Sequence, residues 1–349
     1  MRVRARMRER RGNRNDPCPR RRRWHPGSFL PAAGRGGEAF ASGSSPQGGP
    51  GYTEGGATGG GLHTAFPGTP LSGEAQAAVE AARGGDPAAI RALLPFFATE
   101  DNEKLVRFVS TLGTKAIPPL MEALDTPDAG IGETAAALLG ELRAKEAVPK
   151  LVAFLQSRRP RRYAAAWALG EIKDPSTLSV LIGALSDENA GVVKASTRAL
   201  INIGKKATPG LVAALPGSSG PPRKAMLRAL EDIEDIRAED AILAVLESET
   251  EPAIQAAAAR ALAKCGTAKS FAPLERWLER GEVGVKVECA WSLGILQAKP
   301  AEGALRKTME HEDVNVREWS ARALENITGE RVLYRDTHGK MILPYNLYR

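Results

Sequence analysis

Cysteine, histidine and aromatic residues are scarce in this chain. Its three cysteines, Cys18, Cys265 and Cys289, match no metal or redox spacing, and no two of its four histidines, His25, His63, His311 and His338, are spaced as metal ligands. Nothing therefore calls for a cofactor or a metal. No apolar run approaches the roughly eighteen residues that a membrane-spanning helix needs. Lysine is missing from residues 1–72, which carry 12 arginines against Glu9, Asp16, Glu38 and Glu54. The basic excess of the whole chain, +7, thus belongs to this segment, and the remainder is close to neutral.

Residues 1–72 also lack the material of a core. After Arg20-Arg21-Arg22-Arg23 the sequence turns to glycine, proline and serine, which cannot offset the entropy of ordering them. They are expected to be a disordered tail, serving either as a spacer, as a basic arm for nucleic acid or acidic surfaces, or as an overlong reading of the start of the coding region. No apolar run follows the arginines, as an export signal would require.

What the rest of the chain has is a beat. Leu139, Leu169, Leu200, Leu230, Leu262, Leu293 and Leu324 follow one another at intervals of 30 to 32 residues. Leu124, Leu155, Leu185, Leu215, Leu246, Leu278 and Met309 keep step with them. Two apolar registers at one period imply an all-α fold, an α-α superhelix of about eight stacked helix pairs over residues 73–329. One unit reads clearly between Ser179 and Ile203. Val180, Leu181, Ile182 and Leu185 form the apolar side of a first helix, and residues 186–191 a turn. Val192, Ala195, Ala199, Leu200 and Ile203 then give a second helix, with Gly204 as its stop.

Alanine runs such as Ala164-Ala165-Ala166 allow close helix approach, and Pro118, Pro149, Pro209 and Pro273 mark the starts of first helices. Cys265 and Cys289 take apolar or small slots, as buried thiols of a reducing, cytoplasmic protein. Residues 205–240, with a soft Pro/Gly loop and no glycine stop after Ile233, are where an irregular bend is expected. Residues 330–349 form a C-terminal extension, read as a hairpin covering the last pair.

Leu138-Leu139-Gly140-Glu141-Leu142, Ala168-Leu169-Gly170-Glu171-Ile172, Val193-Lys194-Ala195, Val285-Lys286-Val287 and Asp313 with Val316-Arg317 carry a resemblance. They resemble the HEAT family over residues 86–329, in particular the short bacterial HEAT-like repeats named after phycobilisome lyases. The resemblance implies that second helices line a concave side, and that a basic residue early in each second helix ties to an aspartate of its turn. Arg162, Arg223, Lys286 and Arg317 stand in that slot, with Asp313 the expected partner of Arg317.

Two residues before each leucine of the first series stand Ala137, Trp167, Arg198, Arg228, Arg260, Trp291 and Arg322. In stacked repeats such a column becomes a stripe of arginine and tryptophan, the groups enriched at protein interfaces. Tyr163, Lys194 and Lys224 lie one turn earlier on the same side. The run Arg158-Arg159-Pro160-Arg161-Arg162 is the densest charge cluster of the repeats.

The expected function is a non-enzymatic scaffold binding an acidic or extended protein segment along this stripe. The alternative is nucleic-acid binding through the same cations and the Arg158, Arg159 and Arg161 turn. A third reading, a lyase or glycosylase, rests on Glu133 and on Glu318 beside Trp319. Oligomeric state is not legible.

Overall fold

A computed structural model describes residues 70–98, 102–157 and 159–344. Residues 1–69, Arg158, and Tyr345 and Tyr348 of the C-terminal extension lie outside them. Helix α1 (Gly73–Ala82) precedes eight helix pairs. These are α2 (Pro87–Leu93) with α3 (Asn102–Leu112), α4 (Ile117–Ala123) with α5 (Ala129–Glu141), and α6 (Val148–Gln156) with α7 (Tyr163–Ile172). Then come α8 (Leu178–Gly183) with α9 (Ala190–Ile203), α10 (Thr208–Ala214) with α11 (Gly220–Ile233), and α12 (Glu239–Ser248) with α13 (Pro252–Cys265). The last two are α14 (Phe271–Arg280) with α15 (Val283–Ile295), and α16 (Glu302–Thr308) with α17 (Val314–Thr328). No helix of the described residues is long and apolar enough to cross a membrane.

Local chemistry sets the boundaries. Second helices α5, α9 and α17 begin where Asp128, Asn189 and Asp313 accept hydrogen bonds from the free backbone N–H groups of the first turn. Helix α9 ends at Gly204, with φ +76°. Helix α11 ends without glycine: Glu234 itself takes the left-handed conformation at φ +55°, and Lys173 does the same after α7. The segment after Ile233 therefore stops on a glutamate.

All seven leucines of the first periodic series are fully buried. The second series is buried through Leu278, and Met309, which has no following repeat to cover it, is half-buried. Cys265 and Cys289 are free and buried. Second helices pack on one another far more intimately than first helices do. At three junctions glycine makes this possible. A Cβ on Gly140 would lie 2.8 Å from the Ala168 Cα, one on Gly170 2.6 Å from the Ala199 Cα, and one on Gly294 2.8 Å from the Ala323 Cα. The same slot on α9 is Ile201, and from α5 to α17 the packing between second helices is loosest at α9–α11.

After α17 the chain makes a short antiparallel hairpin, β1 (Tyr334–Arg335) with β2 (Met341–Ile342), pairing Tyr334 with Ile342. Its turn is closed by the Asp336 carboxylate, which accepts from the His338 and Lys340 N–H groups at 2.8 Å each. Tyr334 points inward and is buried.

Candidate partner-binding face of the second helices

Residues four apart on a helix share a face. Counted from the buried leucine of each second helix, the slots six before, two before and two after form such a face. The slots line up between neighbours. The Tyr163 hydroxyl on α7 donates to Glu133 Oε1 on α5, both six before their leucines. Asn202 on α9 donates to Glu171 on α7 at 3.0 Å, both two after. Side chains some thirty residues apart in sequence thus stand side by side, as the periodicity requires.

The stripe is uneven. Arg198 on α9 and Lys224 on α11 are exposed and have no carboxylate partner among the described residues, and Lys194 beside them is exposed. Arg228 is exposed but shares Glu231 and Asp232 of its own helix, each at 3.4 Å. Arg260 sits between Glu231 and Glu288, 3.2 Å from each, with its guanidinium 4.9 Å above the Trp291 ring. Burial works against its charge, and the two carboxylates more than restore it, so its pKa lies above the ordinary value. Burial likewise pushes the Glu288 carboxyl up, against the pull of Arg260. Arg322 pairs with Glu318 at 2.6 Å and lies over Trp319.

Trp167 leaves the stripe altogether. It is 8% exposed, and its ring fills the space that a side chain at position 140 would take, because Gly140 has none. The equivalent slot before Trp291 is Ala263, and Trp291 stays half-buried on the face. Val287 and Ile295, one turn to either side of it, are half-buried and 42% exposed, so α15 presents an apolar edge there. Ala137 is buried.

The arginine cluster before α7 does not converge on a common point. Arg159 reaches back to the carbonyls of Leu124, Asp125 and Thr126 at 2.8 to 3.2 Å, satisfying the open end of α4. Arg161 pairs with Glu133 at 2.7 Å, beside the Tyr163 hydroxyl, whose pKa is raised by burial and then by Glu133. Arg162 reaches forward to both oxygens of Asp187, at 2.7 and 2.9 Å. Arg158 lies outside the described residues. What reads as one basic patch in the sequence is a set of ties pointing in different directions.

The second basic column is corrected in the same sense. Its members tie to the turn of the following repeat: Arg162 to Asp187, Arg223 to Glu249 at 2.6 Å, and Lys286 to His311 at 3.2 Å. Arg317 does not pair its guanidinium with the Asp313 carboxylate, which is occupied in capping α17. Its guanidinium, 7% exposed as a residue, donates instead to the His311 and Glu312 carbonyls at 2.6 and 2.7 Å. It also donates to the Arg335 and Asp336 carbonyls of the hairpin at 2.7 and 3.2 Å. The hairpin stands where the next repeat's turn would.

The two acids considered for catalysis are engaged, Glu133 by Arg161 and Tyr163, Glu318 by Arg322. Among the described residues no three His, Cys, Asp or Glu side chains gather as a metal site requires. Glu231 and Glu288, which neutralise Arg260, escaped the sequence reading. The signal was present as acids 29 before and 28 after that arginine, one repeat away on each side.

The HEAT-repeat family model matches residues 110–169, 159–221 and 208–285, which together span half of the chain. The chain belongs to the HEAT-repeat family. No curated protein sequence matches it. Among solved structures this HEAT-repeat chain is similar to importin beta, at 12% identity and a TM-score of 0.51, over 73% of this chain and 40% of that one. It is similar also to human deoxyhypusine hydroxylase in complex with glycerol, at 22% identity and a TM-score of 0.32, over 74% of this chain and 98% of that one. A third is the complex of CpcE and CpcF of phycocyanin lyase from Nostoc sp. PCC7120, at 20% identity and a TM-score of 0.41, over 43% and 99%. At such identities the likeness is one of fold.

Proposed function

We propose that this HEAT-repeat protein is a non-enzymatic scaffold that holds an acidic segment of a partner protein on its second-helix face at α9–α11. The resemblance to HEAT repeats puts second helices on a concave side, and their closer mutual packing supports that reading. The single observation that carries the reading is that Arg198 and Lys224 stand exposed without a carboxylate, where the other arginines of the stripe, Arg228, Arg260 and Arg322, are met by one or more. Lys194 and Arg228 flank them, while Trp167, Arg260 and Arg322 serve packing and ties between helices. Strong nucleic-acid binding calls for about six or more phosphate contacts, and the described face offers fewer free cations, so a protein segment is favoured. The short period supports a place among the short bacterial HEAT-like repeats of the phycobilisome-lyase type, and the buried free thiols support a cytoplasmic setting.

The test uses a fluorescein-labelled acidic peptide as probe. Arg198→Glu combined with Lys224→Glu is expected to weaken its binding by roughly tenfold or more, since two attractions become repulsions. Helicity should be unchanged, because both side chains are exposed. Equal binding by the variant and the parent disproves the assignment. A DNA duplex that binds more tightly than the peptide points instead to the nucleic-acid reading.

A further inference from the structure

The face that carries Arg198 and Lys224 does not end there. Three repeat steps along it, α15 presents Val287, Trp291 and Ile295 in the slots six before, two before and two after Leu293, and Ile295 is 42% exposed. Between these two places the face is neutral. Arg228 is matched by Glu231 and Asp232, Arg260 by Glu231 and Glu288, and Lys264 by Glu234 at 3.2 Å. The sequence of surfaces from α9 to α15 is therefore cationic, neutral, apolar.

Resting on the scaffold reading above, we propose that the apolar edge of α15 is a second subsite for the same partner segment, taking a large apolar side chain while the acidic group sits at α9–α11. The complement of cationic, neutral, apolar is a segment that is acidic, uncharged, then apolar. Its length follows from the repeat. Three steps of roughly 10 Å make about 30 Å, which an extended chain at about 3.3 Å per residue spans in about nine residues. Arg260 lies over the Trp291 ring, so one side of the indole is already fixed and the apolar group meets the edge made with Val287 and Ile295.

The experiment measures binding of the full chain to synthetic peptides with an acidic cluster and a leucine pair, joined in either order by uncharged spacers of graded length. Affinity is expected to peak near a nine-residue separation, roughly tenfold above the acidic cluster alone, because the second contact is made within one complex. Trp291→Ala and, separately, Ile295→Asp should bring the two-group peptide down to the affinity of the acidic cluster. The second variant changes an exposed side chain, so it keeps the test valid should the first unfold the helix. A two-group peptide that never exceeds the acidic cluster, or that ignores both variants, overturns the subsite. If Arg198→Glu with Lys224→Glu still abolishes binding in that case, the scaffold reading stands and only the subsite falls. If that variant has no effect either, both fall.

Discussion

Valine in place of Gly170 is expected to destabilise the protein by about 3 kcal/mol or more, and to lower the thermal midpoint and the helical signal of the whole repeat array. The reason is contact between backbones. A Cβ at position 170 would lie 2.6 Å from the Ala199 Cα and 2.7 Å from its Cβ, distances that real Cβ atoms do not show. The obstacle is main chain on the facing helix, so no side-chain rotation relieves it, and α7 and α9 must separate. Overpacking of a tight core costs about 1–3 kcal/mol, occasionally more, and here a separation also opens the buried column of Leu169 and Leu200. Gly303, on α16 with nothing within 4 Å of its would-be Cβ, is the control. Gly303→Ala should be neutral or stabilise by about 0.5–1 kcal/mol, through helix propensity alone. Thermal melts of the two variants check the pair. A Gly170→Val melt indistinguishable from that of the parent protein contradicts the glycine–alanine packing.

Arg317→Met should release the C-terminal hairpin at a cost of about 3 kcal/mol. Methionine keeps much of the apolar stem but removes the donors to four backbone carbonyls, two on the turn before α17 and two on the hairpin. Hydrogen bonds from a charged donor contribute about 1.5–3 kcal/mol each, and carbonyls left without a partner add their own penalty where water cannot reach them. Release of the hairpin lets water in, which is why the expected total is well below the sum. Arg317→Lys should restore little, because one ammonium cannot span four carbonyls as the planar guanidinium does. Amide hydrogen exchange across residues 334–342 reads the effect directly. Protection at Tyr334 and Ile342 should fall in both variants, while protection in α5 to α9 is unchanged, since each repeat leans only on its neighbours. Retained protection of the hairpin would mean that its apolar contacts suffice without Arg317.

The fold was legible in the sequence because a solenoid writes its core at a fixed period, and the leucines that keep that period are all buried. The face was legible only as columns. Which cations remain available depends on side chains one repeat away, and neutralisation is a matter of which acids reach across. Glu231 reads in sequence as part of an acidic, irregular segment; in the fold it serves Arg260 and Arg228. Trp167 and Trp291 share a slot, yet Gly140 on the helix before one and Ala263 on the helix before the other send them to different depths. Arg317 and Asp313 lie four apart, as a helical ion pair would, but the cap claims the aspartate first. In each case the competing partner comes from a different part of the chain, and only the stacking brings it near.

The guanidinium groups of Arg317 and Arg159 share one trait, that among the described residues their hydrogen bonds all go to main-chain oxygen. A fastening of this kind does not read amino-acid identity. At that joint Arg335 and Asp336 offer only their carbonyls; their side chains are used elsewhere, Asp336 closing the hairpin turn and Arg335 reaching Glu310 at 2.7 Å. The fastening thus depends on the path of the hairpin backbone and on the one guanidinium that reads it, like a plug whose fitting is standard.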